Sequence, residues 1–152
     1  MLATPTKFTL VTGAAEGGTK LNAFDNALLA AGIGNLNLLR VSSILPPDAT
    51  YVEQVAIPFG SLVPTAYGSI TSDQPGQLLC AGIGVGMAAS GYGVIMEYSD
   101  YGSREQAEEM VAQMLREAFQ VRGVTLQRTL IKAVEHRVER IGCAFAGSAL
   151  WY

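Results

Sequence analysis

Between Asp73 and Glu97 the chain runs for 23 residues, QPGQLLCAGIGVGMAASGYGVIM, without one charged side chain. No other feature limits the fold as much. An uncharged stretch of that length belongs either in the hydrocarbon of a membrane or inside a protein core. Glycines recur through it, with a proline and polar Ser and Gln residues, so a spanning helix fits poorly. Two buried strands, Leu78–Met87 and Gly93–Tyr98, joined by a turn at Ala89–Gly93, account for it better. The rest of the composition agrees. Only 15% of the residues are charged, against about 25% in an ordinary soluble domain. A chain of 152 residues reads as a single domain. One this apolar is expected to bury much of its surface, in its own core or against other copies of itself.

The remaining elements follow from pattern and punctuation. Lys7–Thr12 reads as a strand, followed by a glycine-rich turn, GAAEGG. Phe24, Ala27, Leu28 and Ala31 then share one face of a helix, with Asn22 as its cap and Gly32 as its stop. Leu36–Ser42 resumes as a strand, which Pro46 and Pro47 end because neither can donate to a ladder. Val63–Thr71 is a further strand, with DQPG as the turn after it. A second helix opens on SREQ at Ser103–Gln106, the pattern of a capping box. It buries Ala107, Met110, Val111, Met114, Ala118 and Phe119, and stops at Gly123. Thr129–Val138 and Gly142–Leu150 read as closing strands. Six to eight strands with two helices are too few helices for regular βαβ alternation. The expected class is therefore α+β, a β-sheet sandwich with helices outside it.

Several function classes lose support. The net charge is −3, from ten basic and thirteen acidic residues, and no Lys/Arg cluster offers a nucleic acid a footprint. Cys80 and Cys143 sit among small apolar residues, where buried free thiols are expected before a disulfide. With no C-x-x-C and a single His, His136, a zinc site is not expected. The first residues, MLATPTKFTL, lack the apolar run of a signal peptide. A cytoplasmic protein without a membrane partner is the expectation.

Four features carry possible chemistry. GIGVG at Gly82–Gly86 holds only part of a phosphate-binding fingerprint, and close packing of strands or subunits explains it more simply. Glu97 follows three apolar residues in VIMEY, and burial there would raise its pKa and keep it available as an acid. A strand-end glutamate paired with an arginine is the plainer reading. Asp25 flanks the apolar stripe of the first helix, either exposed or set to bind a cation. Ser42 and Ser43 stand side by side in LLRVSSILPP. Such a pair most often begins a turn. A serine hydroxyl can also attack the carbonyl before it, if the fold strains that amide and stabilises the oxyanion. Elimination of the resulting ester cuts the chain, and hydrolysis leaves a pyruvoyl group.

The stretches LNAFDNALLAAGIGNLNLLRVSSILPP, GSLVPTAYGSITSDQPG, VIMEY and AVEHRVERIGCAFAGSALWY closely resemble the pyruvoyl-dependent arginine decarboxylase family. They span about Leu21 to Tyr152 and keep the family's order. The resemblance implies self-cleavage between Ser42 and Ser43. Residues 1–42 would form a β subunit and residues 43–152 an α subunit, with Ser43 converted to the covalent pyruvoyl cofactor. It also implies a homotrimer of αβ units, of αββα-like layering, with active sites between neighbours. By the same match, Asn37 serves processing and the active site, Glu97 returns a proton to the substrate, and Asp25 binds the guanidinium. Asn26 departs from the pattern, which has glycine there. The implied reaction converts L-arginine to agmatine and CO₂ through a Schiff base with the pyruvoyl ketone. Two alternatives stand beside it: a relative acting on another amino acid, and an unprocessed, non-enzymatic trimer.

Overall fold

Residues 2–89 and 91–152 are described by a computed structural model. Met1 and Ser90 lie outside the described residues, and with Ser90 goes the expected turn at Ala89–Gly93. In chain order the elements are β1 Lys7–Phe8, β2 Val11–Glu16, α1 Lys20–Ala30, β3 Asn37–Arg40, β4 Ile44–Leu45, β5 Thr50–Tyr51, β6 Leu62–Ser72, β7 Leu78–Met87, β8 Gly93–Tyr101, α2 Arg104–Arg122, β9 Arg128–Arg137 and β10 Gly142–Trp151. The class is α+β, as expected, with two helices and two sheets. The first sheet runs β3-β6-β10-β1-β5, with β2 also paired to β10. The second runs β4-β8-β7-β9.

Both sheets contribute to one apolar core. Phe8, Ala66, Ala144 and Leu150 from the first meet Leu45, Leu79, Ile83, Val85 and Ile95 from the second. Each helix lies against the outer face of one sheet. Ala23, Ala27 and Leu28 of α1 pack with Cys143 and Phe145 of β10. Val111, Leu115, Ala118 and Phe119 of α2 pack with Val94 of β8. Alternation along β7 divides its side chains between these two interiors. Leu79, Ile83 and Val85 enter the core between sheets. Gly82, Gly84 and Gly86 turn outward, where an added Cβ would run into Ala107, Val111, Leu115 or Phe119. The GIGVG run thus lets α2 seat closely on β7. The uncharged segment is accounted for mainly by β7 and β8, and among the described residues no helix is long and apolar enough to cross a membrane.

Several expectations change in detail. The strand expected at Lys7–Thr12 divides into β1 and β2, which pair with opposite ends of β10. Only Gly17–Gly18 of the GAAEGG run is left for the turn, because β2 continues to Glu16. The first helix is capped by Thr19, whose hydroxyl oxygen accepts the Asn22 N–H at 3.1 Å, so Asn22 lies inside the first turn. The second helix follows its sequence signals: Ser103 accepts the Gln106 N–H, and Gly123 ends it in the left-handed region at φ 67°. Leu115 is buried at its centre, whereas Met110 and Met114 are only partly covered. The two prolines make a tight turn, Pro46–Ala49, in which Asp48 has φ 66° and the Ala49 N–H bonds to the Pro46 carbonyl at 3.3 Å. Cys80 and Cys143 are buried and free.

One carboxylate joins residues distant in sequence. Glu16, at the end of β2, accepts hydrogen bonds from the backbone N–H groups of Arg140 at 2.7 Å, Ile141 at 3.1 Å and Glu139 at 3.3 Å. His136 Nε2 lies 2.5 Å from its Oε2. Burial pushes the Glu16 pKa up, but the bonds from His136 and the backbone outweigh it, and the net shift is downward. A lowered carboxyl pKa contributes stability above its unfolded value and loses it as the pH falls through the folded one. Glu16→Gln should therefore destabilise the protein by about 1–2 kcal/mol at neutral pH. The difference should narrow below about pH 4, as read by denaturant unfolding across pH; a difference that does not change with pH would reject this account.

Candidate active site

The site lies where the chain passes from one sheet to the other. β3 is the parallel edge strand beside β6, with Arg40 opposite Thr65. β4 pairs with β8, with Ile44 opposite Val94. Val41, Ser42 and Ser43 make the crossing. It is held at both ends: the Val41 N–H donates to the Thr65 carbonyl at 3.1 Å, and the Ile95 N–H donates to the Ser43 carbonyl at 2.6 Å. The strand expected to reach Ser42 stops at Arg40, because the next residues must leave the first sheet to enter the second.

Glu97 sits two residues beyond Ile95 on β8, so the two side chains share a face. That face looks toward the first sheet. A Cβ on Gly68 of β6 would touch the Glu97 stem at 3.4–3.5 Å. The side chain is 27% exposed, and its Oε1 lies 3.9 Å from Arg40 Nη2. Burial raises the Glu97 pKa, and the Arg40 charge opposes that rise without cancelling it. The carboxyl is partly buried and faces an arginine, and it lies at the middle of β8, not at a strand end.

Arg40 itself escaped the sequence reading. Its guanidinium lies over the Tyr67 ring, 4.6 Å from the centroid, and Nη2 donates to the Tyr67 carbonyl at 2.8 Å. Tyr67 belongs to an aromatic cluster with Phe145 at 5.3 Å and Phe24 at 6.2 Å between centroids. The available signals were the lone charge in LLRVSS and the Tyr-Gly pair in PTAYGS.

The other two candidates stand apart. Asn37 opens β3 and is exposed; its Nδ2 donates to the Gly60 carbonyl at 2.9 Å, and its backbone N–H donates to the Ser61 carbonyl. Asp25 is exposed on α1, one residue from Phe24, and among the described residues it makes no salt bridge. One chain therefore brings together the serine crossing, Arg40 and Glu97, but not Asp25. A groove of about 820 Å³ opens between the segment after α1 and residues 53–59, and neither Glu97 nor Asp25 lines it. Asn26, the departure noted above, donates its side-chain amide to the Glu16 carbonyl at 3.0 Å and so ties α1 to β2.

Comparison with known proteins shows the family. Residues 7–150 match the family described as pyruvoyl-dependent arginine decarboxylase. The protein of that name from Methanocaldococcus jannaschii is 52% identical over 150 residues, which cover 97% of this chain and 91% of that protein. The one from Methanococcus maripaludis strain C7 is 47% identical over 150 residues, 97% of this chain and 92% of its own. The one from Pyrococcus furiosus is 47% identical over 139 residues, 90% of this chain and 88% of its own. The class is thus that of enzymes dependent on a covalent pyruvoyl group, here carboxy-lyases. Within it, the chain belongs to the pyruvoyl-dependent arginine decarboxylase family.

A raised carboxyl pKa contributes stability below its unfolded value and loses it as the pH rises through the folded one. Glu97→Gln should accordingly gain stability relative to the unsubstituted protein between about pH 4 and neutrality. Thermal unfolding at several pH values checks this, and a gain of the opposite sign would place Glu97 in a charge-stabilised setting.

Proposed function

We propose that this chain is a self-processing arginine decarboxylase that converts L-arginine to agmatine and CO₂. The observation that carries the reading is the shared anchorage on β8: Ile95 holds the Ser43 carbonyl, and Glu97 stands two residues further along the same face. Processing begins when the Ser43 hydroxyl attacks the Ser42 carbonyl carbon. The C–N bond breaks as the new ester forms. Loss of a proton from Cα and cleavage of the Cβ–O bond then release residues 1–42 with a carboxylate at Ser42. Hydrolysis of the resulting dehydroalanine consumes water, releases ammonia and leaves the pyruvoyl ketone on residues 43–152. The residues present fit that group. Position 43 carries the needed hydroxyl, its carbonyl is already held by a strand, and a half-buried carboxyl lies close by. Asn37, by its match to the family's asparagine, serves processing and the active site.

The ketone supplies an electron sink for the pair left when CO₂ departs. The chain's own residues do the rest. Glu97, whose pKa burial raises, gives a proton to the substrate Cα and regains one from solvent. Asp25 takes the guanidinium with two parallel bonds, for which a carboxylate is suited. Asp25 is exposed and makes no contact with Glu97 among the described residues, and in this reading a neighbouring subunit brings the two together. The active unit is a homotrimer of αβ units with αββα layering, in the cytoplasm. Exposed apolar side chains support such contacts: Phe59 is 83% exposed, Leu21 75% and Leu62 62%.

Denaturing mass spectrometry should find two fragments divided after Ser42, the larger blocked to Edman sequencing; one intact, arginine-consuming species would refute the reading. Ser43→Ala should abolish cutting and activity together. Glu97→Gln should still be cut but turn over roughly 10²–10⁴-fold more slowly. Asp25→Ala should raise KM for arginine at least about tenfold while processing continues, since a charged hydrogen bond is worth roughly 1.5–3 kcal/mol; an unchanged KM would remove Asp25 from the guanidinium site.

A further inference from the structure

We propose that Arg40 is a positioning residue for Glu97, set by Tyr67 so that it steadies the carboxyl group without bonding to it. This rests on the reading of Glu97 as the proton donor. Three contacts define the arrangement. The guanidinium lies over the Tyr67 ring at 4.6 Å, and Nη2 is committed to the Tyr67 carbonyl at 2.8 Å. The same Nη2 stands 3.9 Å from Glu97 Oε1, beyond hydrogen-bond length. Arg40 acts on Glu97 by charge, and the carboxyl oxygens remain free to hand over a proton.

The purpose follows from the chemistry of a buried acid. Burial alone makes a carboxyl a reluctant donor, whereas general acid catalysis works best with a pKa near the working pH. A cation held at a set distance moves the balance back. Few other groups can do this. Opposite Glu97, β7 presents Ile83, and β6 presents Gly68. Lys132 of β9 is the partner of Ile83, one strand further away in the same row. Tyr98 belongs to the opposite face of β8, with its hydroxyl donating to Asp100. Among the described residues Arg40 is thus the one cation within 4 Å of Glu97, and it rides on β3 two residues before Ser42. Tyr67 passes the placement on to the aromatic cluster under α1, the helix that carries Asp25.

The test compares processed Arg40→Gln and Arg40→Lys with the unsubstituted enzyme in kcat against pH. Because a protonated Glu97 is required, kcat falls as pH rises through the Glu97 pKa. Removing the cation should move that alkaline limb to higher pH and lower the plateau about tenfold through misplacement of the carboxyl. Arg40→Lys should hold the limb near its original place, since the charge is kept, with only part of the plateau recovered. Added salt should shift the limb upward in the unsubstituted enzyme and not in Arg40→Gln, because the pair is half-exposed and screened. Infrared titration of ¹³C-labelled glutamate, differenced against Glu97→Gln, should follow the same order without recourse to turnover. A limb and a carboxyl titration unmoved in Arg40→Gln, or a Lys variant that behaves like Gln, would overturn the assignment. A limb that persists in Glu97→Gln would overturn the reading of Glu97 beneath it, and the assignment with it.

Discussion

Three residues carry the chain from the first sheet to the second, and the site is built on that short crossing. Packed sheets stand about 10 Å apart, and an extended residue spans at most about 3.3–3.6 Å. Val41, Ser42 and Ser43 therefore have little slack. Their ends are tied to opposite sheets, by the Val41 N–H on Thr65 and by the Ser43 carbonyl under the Ile95 N–H. A chain held this way cannot relax as a free loop does. The proposed acyl shift would act on a segment fixed at both ends. The remaining architecture explains how a cut at that point could be survived. β1 and β2 are both paired with β10, and α1 lies on the same sheet. Residues 1–42 would stay bound after the covalent link is gone.

Glu16 and Glu97 show how the same side chain titrates differently in two settings. Burial pushes both upward in pKa. Glu16 meets three backbone N–H groups and His136, and these reverse the effect; it serves as a fixed, charged tie between β2 and the β9–β10 turn. Among the described residues Glu97 meets no donor of that kind, only a cation held at 3.9 Å, so its upward shift survives. The difference lies in hydrogen-bond supply more than in burial. It separates a structural carboxylate from one suited to carry a proton.

Much of the fold was legible in the sequence because it rests on local rules. The capping box at Ser103–Gln106, the stop at Gly123 and the apolar face of α2 depend on residues within a turn of one another. The long strands β6 to β10 followed from apolar runs between turn residues. The short elements were less legible. Whether Thr9–Leu10 breaks a strand depends on β10, which lies some 140 residues further on. Thr19 rather than Asn22 caps α1 because β2 extends to Glu16 and shortens the turn. The glycines of β7 could be read as close packing, yet not as packing against a helix, since that partner is chosen by which face of the sheet α2 covers.

For the site, the sequence by itself determined the chemistry on offer: a serine pair, a carboxylate after three apolar residues, and an acid on the first helix. Those are properties of residue types in context, and the chain that carries them belongs to the pyruvoyl-dependent arginine decarboxylase family. Which groups meet was decided only by the tertiary structure. Ser43 and Glu97 are more than fifty residues apart, and the register of β4 on β8 alone makes them neighbours. The pairing of β3 with β6 alone lays Arg40 on Tyr67 and aims it at Glu97. Such contacts are set by strand order and register, which arise from burying many apolar side chains together, and no local stretch of sequence carries that information.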